Sequence, residues 1–498
     1  MTEPLITSRT DWTPELLQEI YSHIEDVALN DLKLDVYPNQ IEVISAEQMI
    51  DAYASVGLPV MYPHWSFGKQ FLSNWTKYQK GRMGLAYEIV INSNPCISYL
   101  MEENNAVMQA LVIAHAAFGH NHVFKNNYMF KEWTAAGSII DYLIFAKTFI
   151  RDCELRYGQD EVELLLDAAH ALAPHGVDKR KRKHKKKLTK EEEAAKLVLD
   201  ADEEQLSLDI IIKSTSKKIE EKKDEQDDDL VGDEENLLYF LMKFSPTLKE
   251  WQREVLRIVY KIHQYFYPQS QTKVLNEGFA TFTHFYIMDE LEKRGLISAD
   301  AQISWLHSHS NVIYQPTYKS KHYDGGFNPY ALGFAILKDI RRICENPTEE
   351  DKEWFPNLIG MEWRDAIKDA VAEYRDESFI QQFLSPKVIR DWNLFIVEHH
   401  KTYGYVSEIS DDKGYRNIRN ALSANYATIN RIPDIVVKSA RMKGDRTLTL
   451  EYHPYKGRSL HGPFAKKTIE FVKLLWGYDV EIVQTNKDRM ETVIVKAK

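Results

Sequence analysis

The stretch MQALVIAHAAFGHNHVFKNN, from Met108 to Asn127, places three histidines inside a run of Ala, Val, Leu, Ile and Phe. A helix that is apolar on every side is buried, and a buried imidazole left without a partner costs about 1–3 kcal/mol. The fold therefore has to set a second polar element against this one. The segment NEGFATFTHF, Asn276 to Phe285, supplies it. Glu277 and His284 are seven residues apart, two helical turns, and so share a face with Thr281 between them. Gly278 permits close helix approach.

A carboxylate on one helix facing two imidazoles on another is the donor set of a zinc-type site with a position left for water or substrate. His115, His120 and Glu277 are the candidate ligands. Two imidazole ligands on one helix are ordinarily four residues apart, whereas His115 and His120 are five apart. On a regular helix that turns them about 140° from each other, so a π-bulge or a helix end at Gly119 is needed to make them converge. His122 is an alternative partner for His120. A hydrogen-bonded core cluster would satisfy the same burial without a cation.

At 498 residues, 44% hydrophobic and 12% aromatic, the chain has material for a large core and more than one structural unit. Its 63 basic and 74 acidic residues give a formal charge of −11, which argues against a phosphate-gripping surface and so against nucleic acid as a partner. Three scattered cysteines, Cys96, Cys153 and Cys344, build no disulfide framework and fit a reducing cytoplasm. The opening residues have no basic region followed by an apolar one, and no window approaches a membrane span, so neither export nor spanning is expected.

The fold class expected is α+β, mainly helical. Residues 1–178 read as an N-terminal helical part: mostly amphipathic helix from Thr13 to Gln70, a strand over 82–92, and buried core helices over 98–118 and 132–156. From 179 to 235, KRKRKHKKK gives way to sequence rich in Glu, Asp and Lys, which reads as a charged, solvated linker or insertion whose basic half could meet a polyanion. Helices resume in 236–405, packing on the first part. Residues 406–498 read as a small α+β module, with strand, turn at Lys443-Gly444-Asp445, strand, a helix near Phe464 to Trp476, then two strands around Asn486-Lys487.

In family order, HAAFGHNHVFKNNYMF, SIIDYLIFAKTFIRDCELRYG, WQREVLRIVYKIHQYFYPQSQTKVLNEGFATF, LHSHSNV, NPYALGF, DESFIQQFLSPKVIRDW and GDRTLTLEY resemble the signature stretches of the SpoVR family, named for stage V sporulation protein R. The resemblance implies an association with spore cortex formation, or with stress and stationary-phase physiology in bacteria that do not sporulate. It also implies two partners, a PrkA-like serine protein kinase and a von Willebrand A-type protein.

HAAFGH with the downstream NEGFA resembles the HExxxH and EGxA pair of some zincin-like metallopeptidases. This second resemblance implies a zincin-like helical domain with zinc, or a similar divalent metal, on His115, His120 and Glu277, and makes the five-residue spacing the expected one. Where that pattern has its general-base Glu, this chain has Ala116, so a metal-dependent hydrolase built on it lacks its usual base. His284 and Glu88 are the substitutes, the latter on the strand that lies over the site in zincin-like folds. Asp141 is a candidate acceptor that orients a histidine. His122, His307 and His309, with Tyr265 and Tyr267, are candidates for the pocket lining. The alternative is a pseudoenzyme that regulates or scaffolds the kinase.

Overall fold

The computed structural model describes residues 4–8, 10–55, 57–58, 61–79, 88–179, 229–234, 236–316, 326–399, 404–408, 411–427, 432–485 and 491–497. Helix α1 (Pro14–Asp26) begins at a Thr13 cap whose side chain accepts from the Leu16 amide. The chain then forms strand β1 (Asn39–Ile44), inside the span whose pattern reads as helix. All but one of the residues of β1 are half-buried, so the strand lacks the clean in-and-out alternation that marks one in sequence. Its partner is remote: β1 pairs in parallel with β3 (Cys96–Met101), with Ile41 opposite Ser98. That partner corrects the helix expected over 98–118, because CISYLM alternates buried and half-buried with the period of two of a strand. Helix α2 (Ala106–Ile113) starts only after Asn105, which caps it. Strand β2 (Glu88–Ile91) lies antiparallel to β3 with Glu88 opposite Leu100, giving the order β1-β3-β2. Residues 82–87 of the expected strand fall outside the described residues.

Among the described residues two large apolar clusters hold most of the helices, and three small ones accompany them. One joins α2 and the segment after it to α4 (Lys273–Lys293), α5 (Ala299–Val312) and α6 (Pro329–Glu345) through residues such as Phe118, Ile287 and Leu337. The other joins α3 (Ile139–Tyr157) and the helix Glu250–Gln271 to the C-terminal strands through Leu143, Val255 and Val437. Helix α3, read as core on all sides, leaves Ile144, Phe145 and Leu155 exposed.

The C-terminal order is the expected one: β7 (Asp434–Arg441), β8 (Leu448–His453), a helix Gly462–Trp476, β9 (Val480–Thr485) and β10 (Glu491–Ala497). Within the stretch read as a charged linker, Asp229–Glu234 forms β4 and pairs with β7, completing a sheet of order β10-β9-β8-β7-β4; 180–228 fall outside the described residues. A hairpin of β5 (Ile396–His399) and β6 (Gly404–Glu408) stands apart. Among the described residues no helix is long and apolar enough to cross a membrane.

Candidate metal centre

Past Ile113 the helix changes type: Ala114–His120 is π-helical. Hydrogen bonds from i to i+5 widen the turn, so residues five apart return to one side. His115 and His120 accordingly meet edge to face, their ring centroids 4.7 Å apart. Close packing then aligns the second helix. A Cβ on Gly119 would stand 2.5 Å from Cα of Ala280, and one on Gly278 would stand 2.4 Å from Cα of Gly333. Helix α4 is thus clamped between the π segment and α6, and this brings Glu277 and Tyr330 into the space that His115 and His120 face.

Four elements meet there, with Glu88 of β2 as the last. His115 Nε2 lies 3.7 Å from Oε2 of Glu277 and 3.7 Å from Oε1 of Glu88, and His120 Nε2 lies 3.5 Å from Oε2 of Glu277. Glu88, His115 and His120 offer ligand atoms all within 4.8 Å of one another. These separations exceed hydrogen-bonding range. They are close to the roughly 3.4 Å between two ligands of a tetrahedral ion bonded at about 2.1 Å. The Nδ1 atoms point the other way and are held. That of His120 lies 2.9 Å from Oδ1 of Asn276, and that of His115 lies 2.9 Å from Nδ1 of His284. The Asn276 oxygen only accepts, so His120 carries its proton on Nδ1 and presents a bare Nε2. His284 continues through Nε2 to Nδ1 of His309 at 2.8 Å, a file of three imidazoles running inward.

Burial pushes the His120 pKa down to about 4 and that of His309 down to about 4. Burial raises Glu88, and the Glu277 charge adds to the rise against the pull of His115. Burial pushes Glu277 up as well, but the His115 and His120 rings and the Tyr330 hydroxyl outweigh it and hold that carboxyl below its usual range. His120 is therefore neutral near physiological pH, the state a metal ligand needs. His115 Nε2 and Glu277 Oε2 are buried with no hydrogen-bond partner among the described residues. Two orphaned acceptor-type atoms aimed at one point fit a cation.

A family model described as "SpoVR like protein" matches residues 11–431, and one described as "SpoVR-like C-terminal domain" matches 433–487. The chain belongs to the SpoVR family. It is 50% identical over 483 residues to "Uncharacterized protein YcgB" of Escherichia coli (strain K12), an alignment covering 96% of this chain and 93% of that protein. No solved structure matches it.

In this SpoVR-family chain the structure draws together His115, His120, Glu277, Glu88 and His284, with His309 behind. The other candidates lie elsewhere. Asp141 is exposed on α3, so it orients no histidine of the centre. His307 is exposed and faces Asn311 on its own helix. His122 is buried but turned to the Asp35 backbone and the Phe279 ring. Tyr265 donates to the Asn92 carbonyl, and Tyr267 packs with Met129 and Val177. Sequence reading passed over Asn276 and Tyr330. The first sits directly before Glu277, and the second opens the helix whose Gly333 signals close packing.

Proposed function

We propose that this SpoVR-family protein binds one divalent cation of zinc type through His115, His120 and Glu277, and that Glu88 serves the same centre as the base that Ala116 cannot provide. The bound cation supplies Lewis acidity toward a carbonyl oxygen. Glu88 reaches the centre from β2 rather than from the helix; its raised pKa suits a group that takes up and returns a proton, and its side chain remains 17% exposed. The reaction class that fits is hydrolysis of an amide in a peptide or cell-wall-related substrate. The observation that carries the reading is the pair of orphaned atoms, His115 Nε2 and Glu277 Oε2, facing Glu88 across the cluster.

Elemental analysis of protein purified without chelator tests the metal. About one zinc-type ion per chain is expected, lost in His115→Ala and in Glu277→Ala. A wild-type chain that arrives without metal and takes none up from zinc, manganese or iron salts sinks the proposal. Mass spectrometry of peptides and cell-wall fragments incubated with wild type and Glu88→Gln tests the chemistry, with cleavage expected only from wild type and metal retained in both.

Ala116, fully buried at the usual place of the base, favours a second reading. In that reading the centre is structural and the protein regulates a PrkA-like serine kinase together with a von Willebrand A-type protein in the cytoplasm, during cortex formation or stationary phase. Stoichiometric kinase binding without turnover, and hydrolysis gained by Ala116→Glu, would select it.

A further inference from the structure

Strand β1 is the edge of its sheet opposite to β2, and its outer side is built to pair. The Pro38 carbonyl accepts from the Cys96 amide and the Ile44 carbonyl accepts from the Glu102 amide. The even-numbered residues of β1 therefore turn their backbone groups to β3, and Ile41 and Val43 turn theirs outward. No turn, loop or side-chain hydrogen bond reaches those outward groups among the described residues. The same two residues line a groove of about 620 Å³ together with Trp12, Leu17, Tyr21 and Ile113. The walls are fixed in place, since the Trp12 indole donates to the Glu102 carbonyl and the Asn39 amide donates to the Tyr21 hydroxyl.

We propose that this groove is a docking site for an extended peptide that adds a strand to β1, with apolar residues at alternate positions and Lys or Arg at its flanks. A row of free N–H and C=O groups is a template for another backbone, and alternating pockets then read the side chains. The volume lies within the roughly 300–1,000 Å³ of sites that bury a ligand. Charge selects the flanks: no lining side chain is charged, while Asp11, Glu15, Glu19 and Glu25 sit on or beside the helix that forms the wall. The candidate metal centre meets this sheet at its other edge, through Glu88 of β2.

The test is a random nonapeptide library displayed on phage and selected against the full chain, followed by anisotropy and hydrogen exchange with the enriched peptides. Enrichment of alternating apolar residues with basic flanks is expected. Binding should slow exchange of the Ile41 and Val43 amides and leave those of Gln40 and Glu42 unchanged. N-methylation of the peptide amides that face β1, or Ile41→Pro, which deletes an outward N–H without touching the β3 ladder, should weaken binding about tenfold or more. No enrichment overturns the proposal. So does affinity that survives both N-methylation and Ile41→Pro, since that is capture of side chains in an apolar pocket. Protection of the same amides by a concentration-dependent dimer, without peptide, would overturn it by giving the edge to a second copy.

Discussion

Glu88 and Glu277 sit in one cluster and are driven in opposite directions, the first up by burial and its neighbour's charge, the second down by the imidazoles and the Tyr330 hydroxyl. In the proposed centre such divergence would suit Glu88 to carrying a proton and Glu277 to staying ionised. The proposed ligands would depend in turn on groups that do not reach the cation. Asn276 fixes the tautomer and the plane of His120 through a 2.9 Å contact. Replacing it with Ala leaves both ring nitrogens free to carry the proton. Partners of this kind contribute about 10- to 100-fold in metal affinity. Asn276→Ala should therefore weaken zinc binding by about that factor in a competition against a fluorescent chelator, with the ion still binding at saturation. Unchanged affinity would mean that packing alone orients His120.

At the scale of elements, the glycines decide whether the centre exists. A Cβ on Gly119 would collide with backbone of α4 that has nowhere to retreat. Gly119→Ala should cost about 1–3 kcal/mol or more in urea unfolding and lower metal content as α4 is pushed off the π segment. Gly68, with nothing within 4 Å of its added Cβ, lies inside the helix Trp65–Gln79. Gly68→Ala should raise stability by about 0.5–1 kcal/mol, as a helical Gly to Ala change does in open space. Equal effects at the two sites would remove the steric argument. The same elements show what sequence can and cannot disclose. The two helical segments that bear the centre are legible because their polar residues interrupt strong apolar runs. The spacing of five shows that either a π-bulge or a helix end is needed, and the structure has the π segment. Strand β1 is not, since its pairing with β3 is non-local and its half-buried residues carry little periodicity. Asp141 misleads for a related reason: the sequence of α3 is apolar enough for a core helix, and only tertiary packing determines which face stays outside.

For the whole molecule, burial of neutral histidines makes folding sensitive to acid. Outside the candidate metal centre, burial pushes His122, His175 and His263 down to about 4 and His170 down to about 3. Unfolded, each titrates near 6.5. Between those values the unfolded chain binds protons that the native state refuses, so stability falls as pH falls. The contribution is fully present above about pH 6.5 and is lost progressively toward pH 4. Glu88 and Glu154 work with the opposite sign, because a raised pKa favours the folded state in acid. Two carboxyls do not offset four imidazoles. The Asp351 carboxylate, held down to about 2 against the pull of its burial by Arg342 and Thr348, titrates below this window. Calorimetry of the metal-free protein should show the melting temperature falling by several degrees or more from pH 7 to pH 5, and His263→Gln should flatten the slope by one proton's share. A melting temperature constant across that range would mean that these rings gain a proton without leaving the fold.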